Sequence, residues 1–257
     1  MLKSKYPKKK GNFKMEYGIQ LYSLRDLTKD QNKFEEAIEA VAKMGYTCIE
    51  FAGFFERTAN EVCGLLDKNG IRVCSTHTSR KELFPEVIDE TIRYHKEIGN
   101  KNIIIPGADL TTGEKIKEFI ELLNFADEKL KKEGITLGYH NHSVEFLPNE
   151  DGIVSWYELR DNTNIMLEVD TYWAWNAGVD PVKHITDNAD RIKMIHLKDG
   201  LEGGIGRSLG SGNAPVREVL ATARKLGMLP VVESEGLDPT GKEEVQRCMD
   251  FLRSVEG

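Results

Sequence analysis

The chain has 257 residues, 40% of them hydrophobic and 30% charged, with a formal net charge of −7 and a pI near 5.5. That length suits one large α/β unit and is enough to bury most of the apolar surface an unfolded chain exposes. The acidic balance argues against a nucleic-acid-binding surface, and no stretch approaches the apolar length of a membrane span.

The first segment, "MLKSKYPKKKGNFK", is basic and lacks the apolar core of a signal peptide. It reads as a flexible tail over residues 1–14, ahead of a single domain over 15–257. From residue 17 onward, short apolar runs alternate with longer segments of helical period. "YGIQLYSL" is followed by "NKFEEAIEAVAKMG", where Phe34, Ile38 and Val41 form a stripe and Gly45 stands at the expected helix C-cap. "YTCIEFAGF" precedes the helical "NEVCGLLDKNG", and "IRVCSTHTS" precedes "ELFPEVIDETIRYHKEIG". "KNIIIPG" is apolar throughout, as a strand covered on both faces should be. A long amphipathic helix follows over 112–134, then "ITLGYHNH" as a fifth strand and "GIVSWYELRD" as a helix. "NIMLEVDT", "RIKMIHLKD" and "LPVVESEG" complete the strands. The helices after them are "DPVKHITDNA", "APVREVLATARKLG" and "GKEEVQRCMDFLRSV".

Eight β-then-α units in this length predict an α/β fold, a single (β/α)8 TIM barrel. A doubly wound sheet is the rival, but the first strand leads into "YSLRD" and not into a glycine-rich nucleotide turn. The four cysteines are widely spaced with no CxxC pair. They read as reduced, structural thiols in a cytoplasmic protein.

In such a barrel the chemistry comes from the C-terminal ends of the strands. The first three strand ends offer Gln20, Tyr22 and Arg25, then Glu50, then His77. Strand five offers His140, His142 and, beyond it, Glu145. Strands six to eight offer Asp170, then His196 and Lys198, then Glu233 and Glu235. Ionisable groups so placed are costly unless they pair, bind a metal or do chemistry. A bland reading exists for each: Asp170 as a turn former, Lys198-Asp199 as a solvated loop start, Glu50 paired with Arg25 or Lys198. The bland readings do not explain why strands five through eight each end in a possible metal ligand. Histidine with carboxylates is a mixed N/O set suited to a divalent Mn, Co, Zn or Mg ion. His95 and His184 fall in helices and read as surface or helix-packing residues.

The segments "YGIQLYSLRD", "GYTCIEFAGF", "YHNHSVEF", "EVDTYWAWNAGVDPV", "IHLKD" and "VVESEG" together resemble the sugar phosphate isomerase/epimerase family of xylose isomerase-like TIM barrels. The resemblance runs from about residue 16 to 253. It implies one divalent cation at the barrel mouth, held by a Glu, Asp, His and Glu from strands five to eight. Asp170, His196 and Glu233 match the last three. At the first position this chain has "HNH" where epimerase-type members carry "ENH", which puts His140 in the ligand place and His142 in the pocket. His142 could exchange roles with it, and Glu145 is a third candidate.

The implied activity is that of a metal-dependent isomerase or epimerase working beside the carbonyl of a sugar or keto-sugar through a metal-stabilised enediolate. Glu233 or a strand-five histidine such as His142 would move the proton, with Lys198 assisting. Gln20, Tyr22, Arg25, Glu50, His77, Glu145 and Trp173 would contact substrate. Inosose dehydratase-like members also carry histidines here, so a lyase acting on a keto-sugar or keto-inositol is the alternative. An apurinic endonuclease-like phosphodiesterase and a non-catalytic sugar-binding barrel fit less well. The partner expected is a small sugar, with no nucleic acid or membrane and with room for a homo-oligomer.

Overall fold

The computed structural model describes residues 15–30 and 32–256, so the basic segment 1–14 lies outside the described residues. The strands in chain order are β1 (Gly18–Gln20), β2 (Cys48–Phe51), β3 (Arg72–His77), β4 (Asn102–Ile105), β5 (Thr136–His140), β6 (Met166–Asp170), β7 (Met194–Leu197), β8 (Asp199–Leu201), β9 (Ile205–Arg207) and β10 (Leu229–Val232). The helices are α1 (Arg25–Thr28), α2 (Phe34–Met44), α3 (Ala59–Asn69), α4 (Ile88–Glu97), α5 (Gly113–Lys132), α6 (Ser155–Asn162), α7 (Thr171–Asn176), α8 (Pro181–Asp187), α9 (Val216–Leu226) and α10 (Gly241–Glu256). Eight strands close in the order β1-β10-β7-β6-β5-β4-β3-β2, and β8 and β9 form a separate antiparallel hairpin. Every barrel pairing is parallel. The expected (β/α)8 barrel is therefore the fold.

Local chemistry sets the element ends. At α3, the Thr58 hydroxyl accepts from the Glu61 amide while the Glu61 carboxylate accepts from the Thr58 amide, a capping box that satisfies two orphan donors. Gly45 and Gly70 end α2 and α3 at φ of 100° and 59°, a backbone region open to glycine at little cost. Two elements differ from the sequence reading. The segment before α4 folds as a 3-10 turn over Arg80–Leu83, and the helix proper starts only at Ile88. Pro85 lies between them, lacking the amide a continuing helix needs. "YWAW", which the sequence reading left without an element between the sixth strand and the next helix, is helical and forms α7.

The barrel interior is layered. Its floor is apolar: Cys48, Cys74, Ile104, Met166, Met194 and Val231 form one buried cluster. Gly138 belongs here because a Cβ would come within 2.6 Å of Ile104 Cδ1. All four cysteines are free thiols, and three are buried. Above the floor the inward positions turn polar. Parallel register sets His140 beside Glu168 and Asp170 beside His196. No described helix is long and apolar enough to cross a membrane.

Candidate metal centre at the barrel mouth

His140, Asp170, His196 and Glu233 come from β5, β6, β7 and the residue after β10, and their donor atoms all lie within 4.8 Å of one another. The four side chains are buried. On its Nδ1 side His196 faces Glu233 Oε2 at 3.4 Å and Asp170 Oδ2 at 4.0 Å. Asp170 is fixed by its neighbours. Its Oδ1 accepts from the Trp173 amide, capping α7, and its own amide donates to Asn141 Oδ1 at 3.1 Å while the Asn141 amide nitrogen donates to its carbonyl. Asn141 thereby clamps the backbone under a candidate ligand, a role that the sequence reading missed.

Lys198 stands over this group with its side chain fully buried. Its Nζ is 2.6 Å from Glu235, 3.3 Å from Glu233 and 3.9 Å from Asp170. It also lies 4.5 Å from the Trp173 ring centroid. Burial would strip the proton from this ammonium, but the carboxylates outweigh it and raise its pKa. Burial also opposes ionisation of Glu233, where Lys198 and His196 prevail and hold the carboxyl well below the usual range. For Asp170 burial wins and pushes the pKa up to about 7. His140 is driven well below the usual histidine range by burial and by its histidine neighbours, so it is a neutral imidazole with a lone pair to offer. His142, at a centroid distance of 5.1 Å from His140 and 5.9 Å from Trp173, is lowered chiefly by burial.

A second, deeper set consists of His77, His140, Glu168 and His196. His77 Nε2 is 2.9 Å from Glu168 and 3.2 Å from Glu50, and Glu50 is 2.6 Å from His196 Nε2. Burial and the Glu50 charge push Glu168 up to about 7, whereas the histidines overcome the burial of Glu50 and hold it at about 2. Glu168 escaped the sequence reading although it sits two residues before Asp170, and therefore on the same strand face.

The other expected site residues fall in three places. Gln20 donates to Glu50 at 2.7 Å, and Glu50 is wholly buried on the Nε2 side of His196. Gln20 and Glu50 are thus engaged with each other and with His196. Tyr22 and Arg25 sit at the rim, the guanidinium 4.7 Å from the Tyr22 ring and donating to the Glu235 carbonyl at 2.7 Å. Glu145 is elsewhere. Its carboxylate accepts from the Tyr139 hydroxyl and the His142 amide, both at 2.7 Å, on the outward side of β5 where Tyr139 packs on Phe119. It shapes the loop and is not among the clustered donor atoms. Of the surface and packing alternatives, His95 and His184 take the second, His95 against Asn100 and His184 between Phe146 and Trp156.

Buried polar atoms nearly always find a partner. Here His140 Nδ1, Asp170 Oδ2 and His196 Nδ1 are buried without a hydrogen-bond partner. Two imidazoles and two carboxylates with such atoms fit a divalent cation, whose charge the carboxylates would balance.

A model of the xylose isomerase-like TIM barrel matches residues 38–255. The chain belongs to that family. An inosose dehydratase from Mesomycoplasma hyopneumoniae is 26% identical over 270 aligned positions, covering 86% of this chain and 88% of its own. A 2-oxo-tetronate isomerase from Haemophilus influenzae is 26% identical over 168 positions, or 56% of this chain, and the match spans 65% of that relative's length. Among solved structures, a sugar phosphate isomerase/epimerase from Parabacteroides distasonis superposes with a TM-score of 0.80 at 25% identity, covering 95% of this chain and 98% of the other. The proteins this chain is similar to thus carry the names of isomerases, epimerases and dehydratases.

Proposed function

We propose that this protein is a divalent-metal-dependent isomerase or epimerase acting next to the carbonyl of a sugar or keto-sugar. The observation that carries the reading is the convergence of His140, Asp170, His196 and Glu233, with Asp170 Oδ2 and His196 Nδ1 buried there and making no hydrogen bond. These four residues would hold the cation. A divalent ion bound there polarises a carbonyl and its neighbouring hydroxyl and acidifies the C–H bond between them.

The chain's own groups do the rest. Glu233 stays ionised under Lys198 and His196, the form that a proton acceptor needs, while those same partners weaken it as a base. His142 is neutral, half-buried and beyond the strand end, so it is the second group able to take or return a proton. Lys198 offsets negative charge growing on a substrate oxygen, in a site where water does not screen it. Trp173 supplies a flat face beside Lys198, and Arg25 and Tyr22 hold outlying oxygens at the rim. A proton returned to the adjacent carbon isomerises the substrate; one returned to the opposite face epimerises it.

A dehydratase is the second reading, favoured by two observations. The inosose dehydratase relative aligns along most of both chains. A neutral His140 also leaves one carboxylate fewer to move protons between faces. Loss of a β-hydroxyl follows from the same C–H cleavage when His142, neutral at the start, takes the C–H proton and passes it to the departing hydroxyl, which leaves as water.

The test is solvent-deuterium exchange into a panel of keto-sugars and keto-inositols, followed by NMR, with Mn2+ present and after chelation. Metal-dependent exchange with product retained supports the isomerase, and exchange with loss of water supports the lyase. No exchange and no water loss across the panel, with metal bound, would sink both.

A further inference from the structure

Strands β1 to β3 supply none of the proposed ligands, yet they carry Gln20, Glu50, Ser75 and His77 in or beside the polar layer. Glu50 is the hub. Its Oε1 accepts from Gln20 Nε2 at 2.7 Å and lies 2.6 Å from His196 Nε2 and 3.2 Å from His77 Nε2; its Oε2 accepts from Ser75 Oγ at 2.5 Å. All of this is on the Nε2 side of His196. The Nδ1 of the same ring has no hydrogen-bond partner and faces Asp170 and Glu233. An imidazole that binds a metal through one nitrogen keeps its proton on the other, and the hydrogen-bond partner of that proton decides which nitrogen is which.

We propose that Glu50 is a positioning residue that keeps the His196 proton on Nε2 and so aims the Nδ1 lone pair at the cation site. The inference rests on the ligand set proposed above. Gln20 and Ser75, from the two flanking strands, hold the two oxygens of Glu50, so the carboxylate cannot turn away. The arrangement also limits the site to one ion. The deeper set would need the His196 nitrogen facing Glu168 at 3.3 Å, which is Nε2, and that nitrogen is engaged by Glu50.

Full-length wild type, Glu50→Gln, Glu50→Ala and Ser75→Ala are compared in three measurements: Mn2+ affinity by chelator competition, ion count per chain by elemental analysis, and 1H–15N NMR of the Zn2+-loaded protein. One ion per chain is expected in the wild type. Glu50→Ala weakens Mn2+ binding by roughly 10- to 100-fold. Glu50→Gln retains part of the affinity because its amide oxygen still accepts, and Ser75→Ala loses less than Glu50→Ala. A slowly exchanging low-field proton on His196 Nε2, assigned with His196→Gln, is present in the Zn2+-loaded wild type and lost in Glu50→Ala. If Glu50→Ala does not fold, Glu50→Gln and Ser75→Ala decide, and wild-type affinity in both overturns the proposal. So does a Zn2+-loaded protein with the His196 proton on Nδ1, or a second ion in the wild type that disappears on changing Glu50. A wild type that binds neither Mn2+ nor Zn2+ instead removes the ligand set, and this inference falls with it.

Discussion

Lys198→Met separates the electrostatics of the site from its packing. The thioether fills most of the volume of the lysine stem, so the change is chiefly the loss of an ammonium among Glu235, Glu233 and Asp170 at 2.6, 3.3 and 3.9 Å. At an effective dielectric of about 20, unit charges separated by the Glu233 distance attract by about 5 kcal/mol. Asp170, raised to about 7, is partly protonated and adds less. Keeping the ammonium out of water costs several kcal/mol, so the net effect is that of breaking a buried pair, roughly 3–5 kcal/mol. In a chain of this size about 1 kcal/mol moves the melting midpoint by about 2–4 °C, which gives a fall of roughly 6–20 °C in the metal-free protein. The effect on metal binding has the opposite sign. A site one positive charge poorer attracts a divalent cation more strongly, and tighter binding adds more stability at a fixed ion concentration. Melting curves with EDTA and with saturating Mn2+ should therefore show a larger metal-induced rise for Lys198→Met than for wild type. A metal-free midpoint that does not move, or a metal-induced rise no larger than in wild type, would refute the argument.

His196→Gln should weaken Mn2+ binding more than 100-fold by chelator competition, beyond the roughly 10- to 100-fold range of outer partners, because it removes a proposed ligand outright. Glu145→Ala should leave the ion count at one per chain while lowering stability by roughly 1–3 kcal/mol in urea melts, since the buried Tyr139 hydroxyl loses its acceptor. Gly138→Ala should cost roughly 1–3 kcal/mol, because its Cβ would meet Ile104 Cδ1 at 2.6 Å and the Met166 carbonyl at 3.2 Å in the barrel floor. His95 is lowered to about 4 by burial, so the unfolded chain takes up its proton first as the pH falls. Its contribution is intact above about 6.5 and is lost between there and about 4, by on the order of 3 kcal/mol; His95→Asn should flatten that part of the stability–pH profile.

The barrel was legible because burial on both faces leaves a plain mark. Ile103, Ile104 and Ile105 are fully buried, as an unbroken apolar run predicts. The eight strands and most helices fall where period and glycine caps put them. Strand ends ran long in the reading because polar residues beyond the hydrogen-bonded ladder, such as His142 and Glu233, still point toward the axis without belonging to a strand. The β8–β9 hairpin left almost no signal. Each strand has three residues around Glu202-Gly203-Gly204, too short to show alternation. What holds that region is buried Asp199, whose carboxylate accepts from the amides of Gly200, Gly210, Gly212 and Ala214.

At the site, parity could be read and depth could not. Alternation says that His140, Glu168, Asp170 and His196 face inward. It does not say at what height each stands, because height depends on the stagger between strands. Register puts His140 level with Glu168, and Asp170 and Val231 level with His196, so Glu233 stands two residues further along its strand than the residue paired with His196. The stagger decides role. Glu50 and Glu168 lie deep enough to reach the Nε2 edge of His196, with His77 bonded to both and stacked on the ring, while Asp170 and Glu233 rise to its Nδ1 edge, where the proposed cation would sit. Glu50 and Glu233 look equivalent in the sequence, each a carboxylate near the C-terminal end of an apolar strand. They meet opposite nitrogens of one imidazole, and that difference turns one carboxylate into a candidate ligand and base and the other into the group that orients the ring.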